Sequence, residues 1–178
     1  IITNSQDILL GKYDSNFNKI WIKNIGGSNR DFSPVLAIDS ENNIYLHGTF
    51  FETCKFTDSD SLVADLMDVF IVKYNSDGNY MWSKHIGSNT DRQFSQSLDV
   101  DKAGNIVGVF RYRNSATIID TTITGRSGVF NNVLFKVDAN GNVLKLKNIL
   151  SSNTNLFTSI KAFSDGYYID GQLRASFY

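Results

Sequence analysis

Aspartates recur at matched positions along this chain of 178 residues, and carboxylates often act as general acids, bases or metal ligands. Asp31 and Asp91 close two similar polar loops, and Asp39 and Asp101 open two similar turns further along. A catalytic centre needs one set of groups at one place, whereas a residue that recurs in every unit usually serves the unit itself. Aspartate side chains also accept hydrogen bonds from the backbone N–H groups of turns. The repetition therefore favours a structural role for these four carboxylates.

Two short segments, residues 75–79 and 138–142, resemble the beginning of a calcium-binding loop. The EF-hand pattern also needs a glycine at its sixth position and a glutamate at its twelfth. The twelfth positions here are Ile86 and Ile149. A tight hairpin explains the same residues, because Asn and Gly tolerate the positive φ that its turn requires. We therefore predict a hairpin and no metal ion at either segment.

The chain has few other groups for metal or nucleophilic chemistry. His47 and His85 stand at different strand positions of different units, and Cys54 is the lone cysteine, whereas zinc needs three or four converging ligands. No G-x-S-x-G sequence is present to hold a nucleophilic serine, and Gly26 and Gly27 lack the lysine of a phosphate-binding loop. The sequence thus predicts no metal, no cofactor and no catalytic residue. We expect the cysteine to be buried.

Residues that break the repeating pattern are better candidates for binding, because the fold itself does not require them. Most of them lie in two variable stretches, about residues 50–67 and 110–131. Mixtures of Arg and Tyr suit contacts with carbohydrate, carboxylate or protein. The candidate ligand-binding residues are Phe51, Glu52, Arg111, Tyr112, Arg113 and Arg174.

Carboxylates in the same stretches leave one enzymatic alternative open. A glycosidase or lyase that acts on polysaccharide needs two carboxylates on one face, roughly 5–10 Å apart. The candidates for such a pair are Glu52, Asp58, Asp60 and Asp120. We expect a non-enzymatic binding or adhesion scaffold, and a purely structural spacer is the third alternative.

A segment of about sixty residues occurs three times and determines where these side chains stand. The copies align on a lysine that follows a short apolar run, namely Lys12, Lys73 and Lys136, which are 61 and 63 residues apart. Other matched positions hold Trp21, Trp82 and Lys145, and Phe17, Gly78 and Gly141. The matched tryptophans predict packing between neighbouring units.

Each copy contains four short runs rich in Val, Ile, Phe, Tyr and Trp, separated by turn residues. No window has apolar residues at a sustained helical period. A four-stranded unit at a fixed period is typical of a β-propeller blade. We therefore predict an all-β fold in a single domain over residues 1–178. Its four-stranded antiparallel blades would cover about residues 7–67, 68–131 and 132–178, with residues 1–6 as a tail strand of a preceding or partner blade.

The motifs of the second copy are the most complete. The sequence D-V-F-I-V-K-Y-N-S-D-G-N-Y-M-W-S begins at Asp68, and D-K-A-G-N-I-V begins at Asp101. These motifs resemble the bacterial SBBP-type β-propeller repeat, and the resemblance covers nearly the whole chain. It implies an extracellular or surface-attached bacterial protein, of a kind that works in adhesion or binding. The mixture of Arg and Tyr residues leads us to expect a carbohydrate or protein ligand.

Composition narrows the classes of partner. A formal net charge of −1 lacks the basic surplus that nucleic acid favours, and no apolar run approaches the roughly 18–20 residues that span a bilayer. We expect no nucleic-acid partner and no membrane insertion.

Propellers usually close with about 4–8 blades, and the chain begins with Ile1 rather than Met, so two hypotheses stand. The chain is part of a larger propeller, or its N-terminal strand completes the last blade of a second copy in a homodimeric ring.

Overall fold

The computed structural model describes residues 6–88, 91–149 and 156–172, so most of the predicted tail strand lies outside the described part. The described residues form fourteen β-strands and no helix, which confirms the all-β prediction. Runs of β-branched and aromatic residues between polar turns explain the strands, because such side chains fit a pleated, half-buried surface. In chain order the strands are β1 (Ile8–Tyr13), β2 (Lys19–Ile25), β3 (Asp31–Ile38), β4 (Ile44–Lys55), β5 (Ser61–Tyr74), β6 (Tyr80–Gly87), β7 (Gln93–Val100), β8 (Ile106–Arg113), β9 (Ser115–Ile118), β10 (Thr121–Thr124), β11 (Phe130–Val137), β12 (Val143–Ile149), β13 (Leu156–Ala162) and β14 (Tyr167–Gln172).

The strands form four antiparallel sheets, of which two are central. The first central sheet has the order β10-β9-β6-β5-β4-β3, and the second has the order β12-β11-β8-β7. Strands β1 and β2 form one two-stranded sheet, and β13 and β14 form another. Within the described ranges these pairings do not close a ring of sheets. Most neighbours in a sheet are consecutive in sequence, as short hairpin connections favour.

The central sheets are displaced by half a repeat from the sequence units. Each contains the last two strands of one repeat followed by the first two of the next. The expected blade boundaries at residues 67 and 131 therefore lie inside β5 and β11 rather than between sheets. The physical reason is the long hairpin of β4 and β5, whose pairing continues as far as Lys55 opposite Ser61. The assignment of residues 1–178 to one domain stays a prediction.

Strands β3, β7 and β13 each stand at the end of a sheet, and β7 contacts both of the others. We call these three the inner strands, and polar side chains link them. Ser95 Oγ donates to the carbonyl oxygen of Ser33 at 2.7 Å. Ser97 Oγ accepts a hydrogen bond from Ile160 N at 2.9 Å. These bonds satisfy buried polar groups between sheets that would otherwise lose their water partners. The apolar core beside them includes Ile71, Ile86, Ile106, Phe110 and Val133.

A tryptophan–glycine contact recurs where one sheet meets the hairpin turn of the next. Trp82 Nε1 donates to the carbonyl oxygen of Ala139 at 3.1 Å, in the turn at residues 138–142. Trp21 lies against Gly78 so closely that an added Cβ would stand 3.0 Å from the indole ring. The prediction that the matched tryptophans pack between units is confirmed.

Turn aspartates organise the hairpins, as the repetition predicted. Asp39 Oδ1 accepts hydrogen bonds from the backbone nitrogens of Glu41 and Asn43 at 2.9 and 2.8 Å. Asp101 makes the equivalent pair of bonds in the next repeat. The structural role of these two aspartates is confirmed.

The second variable stretch forms the hairpin of β9 and β10, which belongs to the first central sheet. Ile118 of β9 lies opposite Ile86 of β6. A segment of the second repeat thus extends the first central sheet beyond the last two residues of β6, Ile86 and Gly87.

Candidate functional site

A phenylalanine followed by a hydroxyl residue recurs in the three repeats, at residues 32–33, 94–95 and 157–158. A β-bulge interrupts each inner strand at or directly after this pair. The register shifts fall between Phe32 and Val35, between Ser95 and Ser97, and between Phe157 and Ser159. Bulges redirect side chains and are common beside binding sites. Residues of all three bulges line one opening between the inner strands.

Among the described residues that line this opening, Arg111 is the charged one. It lies on β8 opposite Phe94, and its guanidinium carbon is 4.6 Å from the ring centre of Phe94 and 4.7 Å from that of Phe130. A cation between two aromatic faces is attracted by both rings. Burial lowers the pKa of Arg111 from its ordinary value. The contact holds the guanidinium plane in one orientation.

The Arg111 side chain has no acidic partner in the described part of the chain. Its Nε is buried and makes no hydrogen bond there. A half-buried cation without a counter-charge is unfavourable relative to one in water. An anion brought beside it would therefore be bound more strongly than at an exposed arginine.

Two clefts meet at Arg111 and Phe94, and together we call them the arginine cleft. The first, between the inner strands, has a volume of about 300 Å³, and Ser33, Ser95 and Thr158 contribute to its walls. The second has a volume of about 610 Å³ and is lined in part by Arg92, Arg113 and Phe130.

Basic side chains outnumber acidic ones around the second part of the arginine cleft. Arg92, Arg111 and Arg113 line it together with one carboxylate, Asp91. That carboxylate accepts a hydrogen bond from Asn114 Nδ2 at 2.9 Å. The balance of charge favours an anionic ligand.

The structure separates the three neighbouring candidates Arg111, Tyr112 and Arg113. Arg111 and Arg113 line the arginine cleft, whereas Tyr112 is fully buried and its hydroxyl donates to Asn148 Oδ1 at 2.9 Å. Alternate residues of a strand face opposite sides of the sheet. Tyr112 therefore belongs to the core and cannot contact a ligand in the cleft.

Phe51 and Glu52 do not line this cleft. Phe51 packs on Phe32 in the first central sheet, with ring centres 6.1 Å apart. Glu52 occupies a bulge of β4 with φ 51° and accepts a hydrogen bond from Ser28 Oγ at 3.3 Å. Arg174 lies outside the described residues. A ligand role for these three residues stays a prediction.

Sequence reasoning missed the aromatic residues that hold Arg111. Phe94 belongs to the repeated pair of phenylalanine and hydroxyl residue, which signals its position in the fold but not its contact with a cation. Phe130 lies opposite Arg113 at the beginning of β11, and only this pairing places it beside Arg111.

A second polar cluster, which the sequence did not reveal, joins the first central sheet to β7. Asp68 is fully buried, and its Oδ2 lies 2.7 Å from His85 Nε2. In the orientation that satisfies both ends of its amide, Gln93 donates to Asp68 Oδ1 at 2.6 Å. His85 also lines a cleft of about 580 Å³ beside the β9–β10 hairpin. Because hydrogen bonds reach the Asp68 carboxylate from two sides, we interpret the cluster as a structural link between β5, β6 and β7.

Asp31 occupies the same place in the preceding repeat as Gln93. It is almost fully buried, and its Oδ2 accepts a hydrogen bond from Gly27 N at 3.1 Å, while Oδ1 has no hydrogen-bond partner in the described part. Burial raises the pKa of Asp31 to about 7, and the nearby charge of Asp7 adds to this, against the hydrogen bonds from Gly27 and Cys54. The lone cysteine is buried, as predicted.

The carboxylates of the enzymatic alternative belong to three different segments of the chain. Glu52 is in β4, Asp58 and Asp60 lie in the turn before β5, and Asp120 lies between β9 and β10. Thr57 Oγ1 donates to Asp60 at 2.5 Å, as expected of a residue that closes its own turn. In the described ranges no group of three His, Cys, Asp or Glu residues is arranged to hold a metal ion. None of the described residues belongs to a helix long and apolar enough to cross a membrane.

The sequence is similar to that of a viral repeat protein. No protein-family model matches the chain. Over 91 aligned positions, which cover 44% of the chain, the sequence is 30% identical to an uncharacterised WD repeat-containing protein of Acanthamoeba polyphaga mimivirus. The chain spans about 7% of that relative's length. Together with the all-β structure, this similarity supports a β-propeller-like repeat fold.

Proposed function

We propose that this chain is a non-enzymatic repeat module that binds an acidic segment of a protein through the arginine cleft. The observation that carries the proposal is Arg111, a cation held between Phe94 and Phe130 with no acidic partner in the described part of the chain. Arg and aromatic residues are enriched in protein interfaces and in the few residues that dominate their affinity.

The geometry of Arg111 favours a carboxylate over other groups. A guanidinium presents paired N–H donors that match the two oxygens of a carboxylate. Stacking restricts the side chain before binding, so less conformational entropy is lost when the ligand arrives. Arg92 and Arg113 add positive charge around the same cleft, which favours a segment with several acidic residues.

The setting that we propose is the surface or exterior of a bacterial cell, with the chain as part of a binding or adhesion scaffold. The resemblance of its motifs to SBBP-type repeats supports this setting. The similarity to a WD repeat-containing protein supports a repeat scaffold more generally.

The direct test is the affinity of the chain for an Asp- and Glu-rich peptide, measured by calorimetry, with a Ser- and Gly-rich peptide as the neutral probe. Arg111→Gln should weaken the acidic peptide's affinity about tenfold or more, because a charge-assisted hydrogen bond contributes about 1.5–3 kcal/mol. The matched control is Arg126→Gln, which removes the same charge from an exposed position outside the cleft.

Thermal unfolding of both variants shows whether the fold is retained. Arg111→Lys keeps the charge and loses the planar pair of donors, so it should bind more weakly than the native chain. Equal affinity of the native chain and Arg111→Gln would refute the proposal. Binding of an oligogalacturonate but not of the acidic peptide would replace the protein ligand by an acidic carbohydrate.

A further inference from the structure

The two outer sheets are complementary halves of the central ones. Strands β1 and β2 correspond to β5–β6 and β11–β12, because all three pairs have a register shift directly after the repeat lysine. Strands β13 and β14 correspond to β3–β4 and β7–β8, because all three pairs have the bulge at the phenylalanine. One outer sheet thus has only the strands that the other one lacks.

Positions that are buried in the central sheets are exposed on the outer ones. Leu9 of β1 is 67% exposed, whereas the equivalent Phe70 is 0% exposed. Tyr168 of β14 is 63% exposed, whereas the equivalent Tyr45 is 0% exposed. Such apolar side chains on a continuous sheet edge are typical of an interface.

The pattern of tryptophan and glycine positions is broken at one residue of the third repeat and at one residue of the first. At the two junctions that the structure shows, a tryptophan packs against a glycine: Trp21 against Gly78, and Trp82 against Gly141. The third repeat has Lys145 at the tryptophan position, and the first has Phe17 at the glycine position.

Phe17 is unusual both in exposure and in backbone conformation. It is 88% exposed and has φ 61°, in the left-handed region where Gly78 and Gly141 have φ 80° and 82°. A phenylalanine there is strained by about 1–2 kcal/mol, which a glycine avoids. A large side chain at this position would clash with a tryptophan opposite it, but not with a lysine.

A cavity of about 430 Å³ lies where the third tryptophan would pack. Lys136, Lys145 and Lys147 line it together with Leu134 and Tyr167. Lysine stems and apolar side chains form a wall that accepts an aromatic ring, and the ammonium groups are attracted to the ring face. Lys145 in place of the tryptophan therefore fits Phe17 in place of the glycine. The two residues can meet only if a third repeat lies beside a first repeat.

We propose that two copies of this chain associate so that β14 of each pairs antiparallel with β1 of its partner. Repeat equivalence gives the register: Tyr168 opposite Lys12 of the partner subunit, and Gly171 opposite the partner's Leu9. The partner's Phe17 then packs against Lys145. Two central sheets from each chain and two composite sheets would make six, within the usual range for propeller closure of about 4–8.

The first experiment is the mass in solution, by light scattering after size exclusion, of the native chain of 20.0 kDa. We expect twice the chain mass, and a monomer at micromolar concentration would refute the proposal. Leu9→Asp should give monomers without lowering the stability of the single chain. Val63→Asp is the matched control, since Val63 is also 67% exposed but lies on the β4–β5 hairpin, and it should remain dimeric.

The second experiment tests the Lys–Phe contact by a double-mutant cycle of dimer dissociation. Lys145→Trp should weaken the dimer at least tenfold because the indole meets the partner's Phe17. Adding Phe17→Gly should restore the affinity, since the pair then matches the two internal junctions. Additive effects of the two substitutions would contradict the contact, whichever way each one acts alone.

The third experiment distinguishes the proposed register from indiscriminate association of exposed edges. A Leu9→Cys chain mixed with a Gly171→Cys chain should form a disulfide-linked pair under mild oxidation. The matched control replaces Gly171→Cys by Asp170→Cys, whose side chain points to the other face of the strand. Equal cross-linking of the two mixtures would refute the register. These tests do not depend on the arginine cleft, so they can fail or succeed independently of the proposed function.

Discussion

The buried carboxylate of Asp31 should make the stability of this protein depend on pH in an unusual direction. Burial raises the pKa of Asp31 from the ordinary value of 3.8 to about 7 in the folded chain. The folded state therefore holds this proton more tightly than the unfolded state. Its contribution is fully present below about pH 4 and is lost as the pH rises to about 7.

The magnitude follows from the size of the pKa change. One pKa unit corresponds to about 1.4 kcal/mol, so a rise from 3.8 to about 7 corresponds to about 4 kcal/mol of unfolding free energy. Asp31→Asn removes the ionisation and keeps the size of the side chain. We expect the variant to be more stable than the native chain at pH 8, by up to about 4 kcal/mol, and to show no such gain at pH 4.

The assay is urea unfolding of the native chain and of Asp31→Asn at pH 4, 6 and 8, with the difference between the two compared across pH. Taking the difference removes the contributions of the other titrating groups, which both chains share. The control is Asp165→Asn, an exposed position at which substitution should change stability by less than about 0.5 kcal/mol at every pH. A constant difference between native and Asp31→Asn chains from pH 4 to pH 8 would refute the reasoning.

Two further perturbations test a buried histidine and a tryptophan between sheets. His47 is fully buried, and burial lowers its pKa from 6.5 to about 3. The unfolded chain therefore binds this proton more readily, and the free energy of unfolding falls as the pH drops below about 6.5. His47→Val introduces the residue that the second repeat has at this position, the buried Val109. Urea unfolding of the native chain should show a loss of about 2 kcal/mol in unfolding free energy between pH 7.5 and pH 5, and the variant should lack this loss. Trp82→Ala removes inter-sheet packing and the bond to Ala139, and should destabilise the chain by about 2–3 kcal/mol with faster hydrogen exchange in the turn at residues 138–142. Unchanged exchange in that turn would mean that the tryptophan does not hold the neighbouring sheet.

Much of the fold was accessible from the sequence because its signals are local. Asp39 and Asn43 lie four residues apart and form their own turn, so their role needs no distant partner. The tryptophans recur at one position, and equivalent positions of a repeat meet equivalent surroundings. The sequence did not predict at which strand of the repeat each sheet begins, because the same apolar runs could form β4 and β5 whether or not the two strands pair. The long β4–β5 hairpin decided it.

Little of the candidate site could be predicted, because it depends on contacts between strands far apart in sequence. Arg111 was a candidate as a charged residue in a variable stretch, but its surroundings come from Phe94 and from Phe130, on strands that flank β8. Tyr112 has the same local context as Arg111. Only the direction in which β8 faces the core separates the two.

The sequence by itself determined the strand-forming runs, the turns and the three-fold repetition, since these follow from local backbone preferences and periodic side chains. The tertiary structure decided which strands share a sheet, which carboxylates are buried and that Arg111 has no acidic partner among the described residues. Asp31 and Asp39 show the difference: the sequence predicts the same structural role for both aspartates, yet burial raises the pKa of Asp31 while hydrogen bonds from Asn43 and its neighbours outweigh burial and lower the pKa of Asp39. The physical reason is that desolvation and hydrogen bonding depend on what the whole chain brings around a group, and no residue type specifies that alone.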